Sequence, residues 1–235
     1  MKLEQVLREG FAAWDLPMDE EALRRYRIYY ERLAEGNRVM NLTAIEGEED
    51  TARLHFLDSA ALLRLTEPEG RRVIDVGSGA GFPGLALKIA APGMELTLLD
   101  SLDKRVRFLR ETCQTLGFED VRCLHARAEE APAELRQSFD LAVSRAVARL
   151  NLLAELCLPF VKKGGLFIAM KGPGAAGELD EARSAVQKLG GRVLGLEEYT
   201  IPGTDTRHCA VLIEKTGDTP TRYPRRWAQM KKQPL

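Results

Sequence analysis

The feature that most constrains this chain is a glycine-rich turn at the end of an apolar segment. Residues 73–84 read Val-Ile-Asp-Val-Gly-Ser-Gly-Ala-Gly-Phe-Pro-Gly, so four glycines fall within eight positions. Glycine occurs where a chain turns tightly or where a ligand approaches the backbone closely. Pro83 favours the first turn of a helix, because its φ is already near the helical value. The pattern predicts a strand, a glycine turn and a helix N-terminus, whose free N–H groups can bind an anionic part of a ligand.

A second apolar segment, residues 95–100, also ends in an acid. Asp100 lies 21 residues beyond Gly79. At about this distance from a glycine turn, an acid that ends the second strand can accept hydrogen bonds from both hydroxyls of a ribose. The turn and Asp100 together predict a nucleoside-cofactor site, in which Gly77, Gly79 and Gly81 let the backbone pass close to the ligand.

The identity of the cofactor depends on the residues around the turn. Residues 79–84 match the GxGxxG dinucleotide pattern, which is a weak signal alone, and no Lys-Ser or Lys-Thr follows Gly84 as a P-loop requires. Asp75 stands where a dinucleotide fold usually keeps apolar residues, and the glycines begin two residues after it. This hydrophobic–Asp-x-Gly-x-Gly-x-Gly arrangement resembles the first motif of Rossmann-like methyltransferases and favours S-adenosylmethionine. An NAD-dependent enzyme and a tight turn without a ligand remain alternatives.

From residue 72 onward, predicted strands and helices alternate, which is typical of a parallel sheet covered on both faces. The last two strands, near residues 192–199 and 208–214, are joined by a short turn-rich loop and predict an antiparallel hairpin at one edge. Five strands are predicted before them, at residues 73–76, 95–100, 121–124, 139–144 and 165–171. We therefore predict an α/β fold of the Rossmann-like, S-adenosylmethionine-dependent methyltransferase type.

The first 65 residues carry helical patterns and precede the first strand of the sheet. Asp19 is placed to cap the second helix, and Gly36 is placed to end it. Ser101 is placed to cap the helix after the second strand, and residues 150–161 predict a single helix. The predicted divisions are an N-terminal helical extension packed on the core (1–65), a Rossmann-like methyltransferase domain (66–217) and a basic C-terminal tail (218–235).

The composition limits the cellular location and the partners that we expect for this chain. The 235 residues are 45% hydrophobic, and neither a run of 18 apolar residues nor a signal-peptide segment is present, so we expect a cytoplasmic protein without a membrane partner. The four cysteines have no CxxC spacing and the three histidines are scattered, so we expect reduced cysteines and no metal site. The net charge of −1 does not by itself indicate a nucleic-acid-binding protein, so any binding of nucleic acid must depend on local clusters of basic residues.

The residues at the end of the predicted fourth strand limit which atom this enzyme could methylate. Enzymes that methylate an exocyclic adenine or cytosine nitrogen usually carry an Asp/Asn-Pro-Pro-aromatic motif there, whereas residues 144–147 read Ser-Arg-Ala-Val. Methylation at cytosine C5 needs a nucleophilic cysteine, but Cys157 falls inside a helix pattern. No evident general base remains, which fits a nucleophile with a free lone pair and no proton to lose, such as guanine N7.

Five motifs occur together in one order: Asn41-Leu42-Thr43, Arg53-x-His55-Phe56-x-Asp58-Ser59, the glycine turn from Asp75 to Gly84, Ser144-Arg145-Ala146 and Lys171-Gly172. The set resembles the bacterial ribosomal small-subunit methyltransferase family once called glucose-inhibited division protein B. The resemblance covers about residues 37–173, and Tyr223-Pro224-Arg225 is similar to the family's basic C-terminus. It implies methyl transfer from S-adenosylmethionine to guanine N7 in 16S ribosomal RNA, near the decoding region. A methyltransferase of small molecules is the alternative.

The resemblance also implies which residues bind the cofactor. These residues are Gly77, Phe82, Ala128, Glu129 and Arg145. Ala128 and Glu129 follow the third strand, where we expect the adenine to lie. We expect Arg145 to orient the cofactor or the substrate through its planar fork of donors.

Basic residues are the candidates for contact with RNA. We expect Arg53, His55 and Asp58 to shape the pocket wall, although a helix packed by local ion pairs would explain them as well. Lys171 ends the fifth strand and is a further candidate. The tail is the densest basic stretch, since its five basic residues are opposed by one acid. The tail candidates are Arg222, Arg225, Arg226, Lys231 and Lys232.

Part of the tail departs from the family pattern. Residues 227–230 read Trp-Ala-Gln-Met, where many relatives carry a Gly/Pro-rich run. We expect Trp227 to pack on the domain, and stacking on a base of the RNA is the alternative. The expected partner is 16S ribosomal RNA or an assembling small subunit, and the expected oligomeric state is a monomer.

Overall fold

A seven-stranded sheet forms the centre of the protein in the computed structural model, which describes residues 2–235. The strands are β1 (Arg72–Val76), β2 (Glu95–Asp100), β3 (Arg122–His125), β4 (Phe139–Arg145), β5 (Val161–Lys171), β6 (Gly191–Thr200) and β7 (Arg207–Lys215). They lie in the order β3-β2-β1-β4-β5-β7-β6. The first five strands are parallel, and β7 pairs antiparallel with both β5 and β6. The predicted parallel sheet with an antiparallel edge hairpin is therefore confirmed.

The strand order reverses at β1, which pairs with β2 on one side and with β4 on the other. Asp75 lies in this central strand opposite Leu98 and Val143. In an open parallel sheet, ligands bind outside the carboxyl ends of the strands at such a reversal point. The glycine turn follows β1 directly, so the fold places it at the position where a ligand is expected.

Helices cover both faces of the sheet and form the N-terminal part. The longer helices are α1 (Lys2–Ala13), α2 (Glu20–Met40), α5 (Gly84–Ala90), α6 (Asp103–Thr115), α7 (Leu150–Cys157), α8 (Ala175–Lys188) and α9 (Trp227–Lys232). Between α2 and β1 the chain forms α3 (Glu48–Thr51), a π-helical segment (Ala52–Leu57), α4 (Asp58–Ala60) and a 3-10 turn (Ala61–Arg64). Among residues 2–235, no helix is long and apolar enough to cross a membrane.

The N-terminal helices share one hydrophobic core with the sheet. Tyr26 and Tyr29 of α2 are fully buried, and their hydroxyls donate to the carbonyls of Ala86 (2.9 Å) and Ala80 (2.7 Å). Burial of a tyrosine requires a partner for its hydroxyl, and here the partners are backbone groups of the glycine turn and of α5. The second helix therefore braces the turn from behind.

The second helix begins as predicted but ends four residues later. Asp19 is its N-cap, and the carboxylate accepts from the N–H of Ala22 at 2.6 Å. The prediction that Gly36 ends the helix is wrong, since the helix continues to Met40 and ends at Asn41 in the left-handed region. A Cβ on Gly36 would lie 2.9 Å from side-chain atoms of Leu42 and Phe108. The glycine allows close packing within a helix instead of a stop.

Two further predicted boundaries are wrong. Ser101 does not cap α6, because Leu102 occupies the N-cap position and its N–H is bound by Asp100 Oδ1 at 2.9 Å. Residues 150–161 do not form one helix, since α7 ends at Cys157 and Val161 already pairs with Phe139 as part of β5. The apolar spacing of this stretch fits both a helix and a buried strand, and the pairing with β4 decides between them.

Candidate functional site

A cleft of about 480 Å³ opens at the carboxyl ends of β1, β2 and β4. Its walls come from the glycine turn, the ends of β2 and β3, the end of β4 with the loop after it, the segments on both sides of α3, and parts of α7 and α9. The predicted residues that line it are Gly77, Gly79, Phe82, Asp100, Ala128, Glu129, His55 and Arg145. Residues from distant parts of the sequence therefore meet in one cleft, as the strand-end argument predicts.

The glycines of the turn serve different purposes. Gly79 has a φ of +59°, and a Cβ there would meet only the Gly77 carbonyl, at 4.0 Å, so this position faces open space in the cleft. Gly77 has a φ of +76°, and a Cβ there would lie 2.4 Å from Val147. Both positions favour glycine because L side chains rarely adopt positive φ.

Gly81 lies outside the cleft lining, contrary to the prediction that it faces the cofactor. Its φ is +108°, and a Cβ there would lie 2.4 Å from the hydroxyl of Tyr29 and 3.1 Å from Leu109. The third glycine of the motif therefore permits close packing of α2 and α6 against the turn. A GxG pattern alone does not separate these two uses of glycine.

Asp100 forms a fixed acidic wall of the cleft. It is 3% exposed, and its Oδ2 accepts from the N–H of Gly79 at 2.9 Å. Its Oδ1 accepts from the N–H of Leu102, which holds the carboxylate in one orientation. Each carboxylate oxygen has a second lone pair. Asp100 can therefore still accept hydrogen bonds from ribose hydroxyls, as predicted.

Asp75 lies behind the turn and not in the cleft lining. Its Oδ2 accepts from the N–H of Gly84 at 2.8 Å, which ties β1 to the start of α5. Its Oδ1 has no hydrogen-bond partner among residues 2–235. Complete burial raises the pKa of Asp75 to about 7. This acid holds the shape of the turn, which explains why an acid lies near the end of a mostly apolar strand.

His55, Phe82 and Arg145 pack together as three flat groups in the wall of the cleft. The rings of His55 and Phe82 are nearly parallel, with centroids 4.2 Å apart, and the guanidinium of Arg145 lies 5.0 Å from the Phe82 centroid. Arg145 Nη2 donates to His55 Nδ1 at 2.9 Å, so His55 Nε2 carries the proton and donates to Thr43 Oγ1 at 2.8 Å. Burial lowers the pKa of His55 to about 3. The imidazole is therefore neutral and has both nitrogens engaged.

Arg145 belongs to a buried polar group that we call the Asp58 cluster: Asp58, Arg145, Tyr199 and His208. Arg145 Nη1 donates to Asp58 Oδ2, while Tyr199 and His208 donate to Asp58 Oδ1 at 2.8 and 2.7 Å. Burial alone would raise the pKa of Asp58, but the hydrogen bond from His208 and the charge of Arg145 lower it below its usual value. The same hydrogen bond raises the pKa of His208. The cluster joins the N-terminal segment, β4 and the edge hairpin.

Other predicted RNA contacts have partners within the protein. Arg53 donates to the Pro202 carbonyl at 2.7 Å and pairs with Glu49. Lys171 donates to the Ala148 carbonyl at 2.6 Å and pairs with Glu178 at 2.8 Å. These two cations hold loops around the site, and neither lines the cleft.

The tail candidates divide into two kinds. Arg225 is mostly buried and pairs with Glu155 at 2.6 Å. The other four are exposed: Arg222, Arg226, Lys231 and Lys232. Only these four keep the accessibility that a phosphate contact needs, and their contact with RNA stays a prediction.

Sequence reasoning missed several site residues. Tyr199 and His208 belong to the edge hairpin, far from the motifs along the chain, and no local signal linked them to Asp58. Thr43 belongs to a motif that had no assigned role, and it holds His55. Trp227 was expected to pack on the domain, but it also lines the cleft. Among residues 2–235, no group of three or more His, Cys, Asp or Glu residues could hold a metal ion.

The sheet order, the glycine turn and the acid that ends β2 define a Rossmann-like, S-adenosylmethionine-dependent methyltransferase. Among solved structures, TYW2 of M. jannaschii in complex with AdoMet has a similar fold, with a TM-score of 0.54 at 14% identity, over 67% of this chain and 74% of that chain. A predicted O-methyltransferase from Agrobacterium tumefaciens has a TM-score of 0.55 at 20% identity, over 69% of this chain and 81% of that one. At these identities the likeness concerns the fold alone.

The sequence gives the closer relationship. This chain belongs to the rRNA small subunit methyltransferase G family, whose sequence pattern matches residues 22–208. Ribosomal RNA small subunit methyltransferase G of Alkaliphilus metalliredigens is 45% identical, with 100% of both chains covered. The protein of the same name from Acetivibrio thermocellus is 41% identical, over 100% of this chain and 98% of that one. The family resemblance stated from the motifs is therefore confirmed.

Proposed function

We propose that this protein transfers a methyl group from S-adenosylmethionine to N7 of a guanine in the 16S ribosomal RNA of the small subunit. The observation that carries the proposal is a cleft of methyltransferase type in which, among the described residues 2–235, no side chain is positioned as a free general base. His55 has both nitrogens bound, and Asp100 holds two backbone N–H groups. Glu129 lies after β3, at the nucleoside end.

The cleft fits S-adenosylmethionine by shape and by donor chemistry. A Cβ at residue 79 would fill the open space that Gly79 faces. Next to this space, the Asp100 carboxylate keeps lone pairs that can accept from ribose hydroxyls. Ala128 and Glu129 would hold the adenine, and Gly77 would lie along the methionine part. When bound, S-adenosylmethionine supplies an electrophilic methyl group on a sulfonium centre.

Guanine N7 suits the residues of this cleft. It carries a lone pair and no proton, so the enzyme needs to orient the base and exclude water but not to remove a proton. Arg145 is held over Phe82 by the Asp58 cluster, and its fixed donors can orient an acceptor-rich base edge. Cys157 is fully buried, and burial raises its pKa, so it cannot serve as the nucleophile that C5 methylation requires.

Labelled S-adenosylmethionine and ribosomal RNA from cells that lack this enzyme test the proposal. Digestion of the RNA to nucleosides should give labelled 7-methylguanosine. Cys157→Ser should retain most of the wild-type rate, whereas Arg145→Ala should lose most of it. Labelled 5-methylcytidine or N6-methyladenosine would refute the assigned chemistry, and label on small metabolites alone would favour the small-molecule alternative.

The partner and the setting follow from the same proposal. The substrate is 16S ribosomal RNA or an assembling small subunit, and the enzyme works on it in the cytoplasm as a monomer. Parallel reactions with deproteinised RNA and with small subunits from the same cells would separate the two substrates. A sedimentation measurement at working concentration checks the monomer, since a mass of 26.2 kDa is expected.

A further inference from the structure

The last helix of the chain brings an indole into the cofactor cleft. Trp227 is the first residue of α9, and it lines the same cleft as Asp100, Ala128 and Leu156. We propose that Trp227 closes the adenine end of this cleft and stacks on the base, so that the C-terminal segment is part of the cofactor site. This inference rests on the proposed function only in taking S-adenosylmethionine as the cofactor.

Two contacts fix the backbone on either side of Trp227. Arg225 donates to Glu155 Oε1 from its backbone N–H and from Nε, both at 2.8 Å, and to Oε2 from Nη2 at 2.6 Å. Glu155 lies on α7 and is 0% exposed. Three residues after Trp227, the side chain of Met230 is also fully buried in the domain. The indole is therefore held between a buried ion pair and a core residue, and it does not belong to a solvated tail.

The neighbours of Trp227 identify the end of the cleft at which it lies. Trp227, Ala126 and Ala128 pack against the same hydrophobic cluster, which includes Leu156. Ala126 and Ala128 follow β3, beside the end of β2 where Asp100 would hold the ribose. A base attached to that ribose would lie next to these small apolar side chains. An indole across from them provides the flat apolar face on which a purine stacks.

The composition of the chain makes a direct test possible. The protein has two tryptophans. Trp14 packs on Tyr199, with ring centroids 6.5 Å apart, and it is not part of the cleft lining. In the Trp14→Phe variant, all tryptophan fluorescence comes from Trp227. S-adenosylhomocysteine and adenosine should each change this emission and protect it from acrylamide quenching, whereas methionine should do neither.

Equilibrium binding gives the second arm of the test. Trp227→Ala should raise the Kd for both S-adenosylhomocysteine and adenosine by about fivefold or more, as loss of a stacked base does. Trp227→Phe should restore most of the affinity, because an aromatic face remains. Melting temperatures of both variants without ligand show whether the fold is kept.

The outcomes separate this inference from the proposed function. An unchanged Kd in Trp227→Ala, or emission from Trp227 that saturating S-adenosylhomocysteine does not change, would overturn the inference. A fall in RNA affinity with unchanged cofactor affinity would assign Trp227 to the RNA instead. If the wild-type protein failed to bind S-adenosylhomocysteine at all, the cofactor assignment and the role of Trp227 would fail together, whereas wild-type binding that Trp227→Ala leaves unchanged would overturn the inference and leave the proposed function standing.

Discussion

Arg145 Nη1 donates to Asp58 Oδ2 at 2.7 Å, and both side chains are largely shielded from water, at 16% and 1% exposed. The other oxygen of Asp58 accepts from Tyr199 and His208. One buried carboxylate therefore holds Arg145 at the cleft and also ties the cleft to the edge hairpin. Loss of Asp58 and loss of Arg145 should therefore affect stability differently. Asp58 has two other donors, whereas the other bonds of Arg145 go to a carbonyl and an imidazole and not to a second carboxylate.

Asp58→Ala and Arg145→Ala should therefore differ in stability. Asp58→Ala leaves a guanidinium in a mostly buried site without its carboxylate, which typically costs about 3–5 kcal/mol of unfolding free energy. Arg145→Ala should lower activity strongly but cost less stability, because Tyr199 and His208 still donate to Asp58 Oδ1 and only Oδ2 loses its donor. Urea unfolding of both variants, with methyl-transfer rates, measures the difference. Asp180→Ala removes an exposed ion pair with Arg183 and serves as the control, with an expected cost under about 1 kcal/mol. Equal stability of the two cluster variants would contradict this account.

Gly79→Ala should abolish the stabilisation that S-adenosylhomocysteine gives to the wild type. The new Cβ at residue 79 would project into the open space of the cleft, which the ligand is expected to occupy. At a ligand concentration about a hundredfold above Kd, the wild type should gain about 2.7 kcal/mol, and NAD should give no gain. Thermal melts with and without each ligand measure this gain.

Gly117 supplies a matched control for Gly79. Its φ of +74° is also in the left-handed region, and no atom lies within 4 Å of a Cβ built there. Gly117→Ala should therefore carry a similar backbone cost of about 1 kcal/mol while keeping the full ligand response. If both variants lost the response equally, backbone strain and not cleft geometry would be the cause.

Asp75 should make the protein less stable as the pH rises. Its pKa is 3.8 as an ordinary side chain and about 7 in the folded protein, so between these values the native state holds a proton that the unfolded state releases. Stability then falls with rising pH across this window, by up to about 1.4 kcal/mol per pH unit from this group. Asp75→Asn should flatten that part of the curve, because an amide does not titrate. The turn should be kept, because the amide oxygen can still accept from the N–H of Gly84. Urea midpoints across the window test this, and a curve parallel to the wild type would show that Asp75 is not responsible.

The exposed cations of the C-terminal segment should set part of the salt dependence of RNA binding. Each phosphate that they neutralise on a single strand contributes about 0.7 to the slope of log affinity against log salt. Arg222→Gln with Arg226→Gln, or Lys231→Gln with Lys232→Gln, should therefore lower the slope by up to about 1.4. Filter binding across a salt series measures it, with the Kd for S-adenosylhomocysteine expected to stay within twofold.

Lys163 and Lys188 provide the control, because replacing both by Gln removes the same two positive charges as each double variant of the C-terminal segment. Both are exposed, and they lie near the start of β5 and the end of α8, at the opposite end of the sheet from the cleft. Their double replacement by Gln should leave the slope unchanged. Point changes are preferable to truncation after residue 217, since truncation would also remove Arg225 and Trp227. An unchanged slope in both tail variants would place the RNA surface elsewhere on the protein.

Much of the fold could be predicted because the relevant constraints are local. The alternation of apolar segments, the glycine turn after β1 and the acids at residues 75 and 100 each depend on a few neighbouring residues, and their placement in the structure agrees with the prediction. Boundaries failed where packing overrides local preference. Gly36 stays inside a helix because Phe108 and Leu42 press against it, and Val161 joins a strand because Phe139 pairs with it.

The sequence by itself determined the class of fold, since periodicity and glycine stereochemistry act over short distances. Its motifs also indicated the cofactor type and the end of the sheet at which the cofactor is expected. The tertiary structure alone decided which charges meet. Asp58 and Arg145 are 87 residues apart, and Glu155 and Arg225 are 70 apart. A buried charge must find a partner, but its own neighbours in the chain do not specify which one. For this reason Arg225 was expected to contact RNA, whereas in the folded protein it holds Trp227 at the cleft.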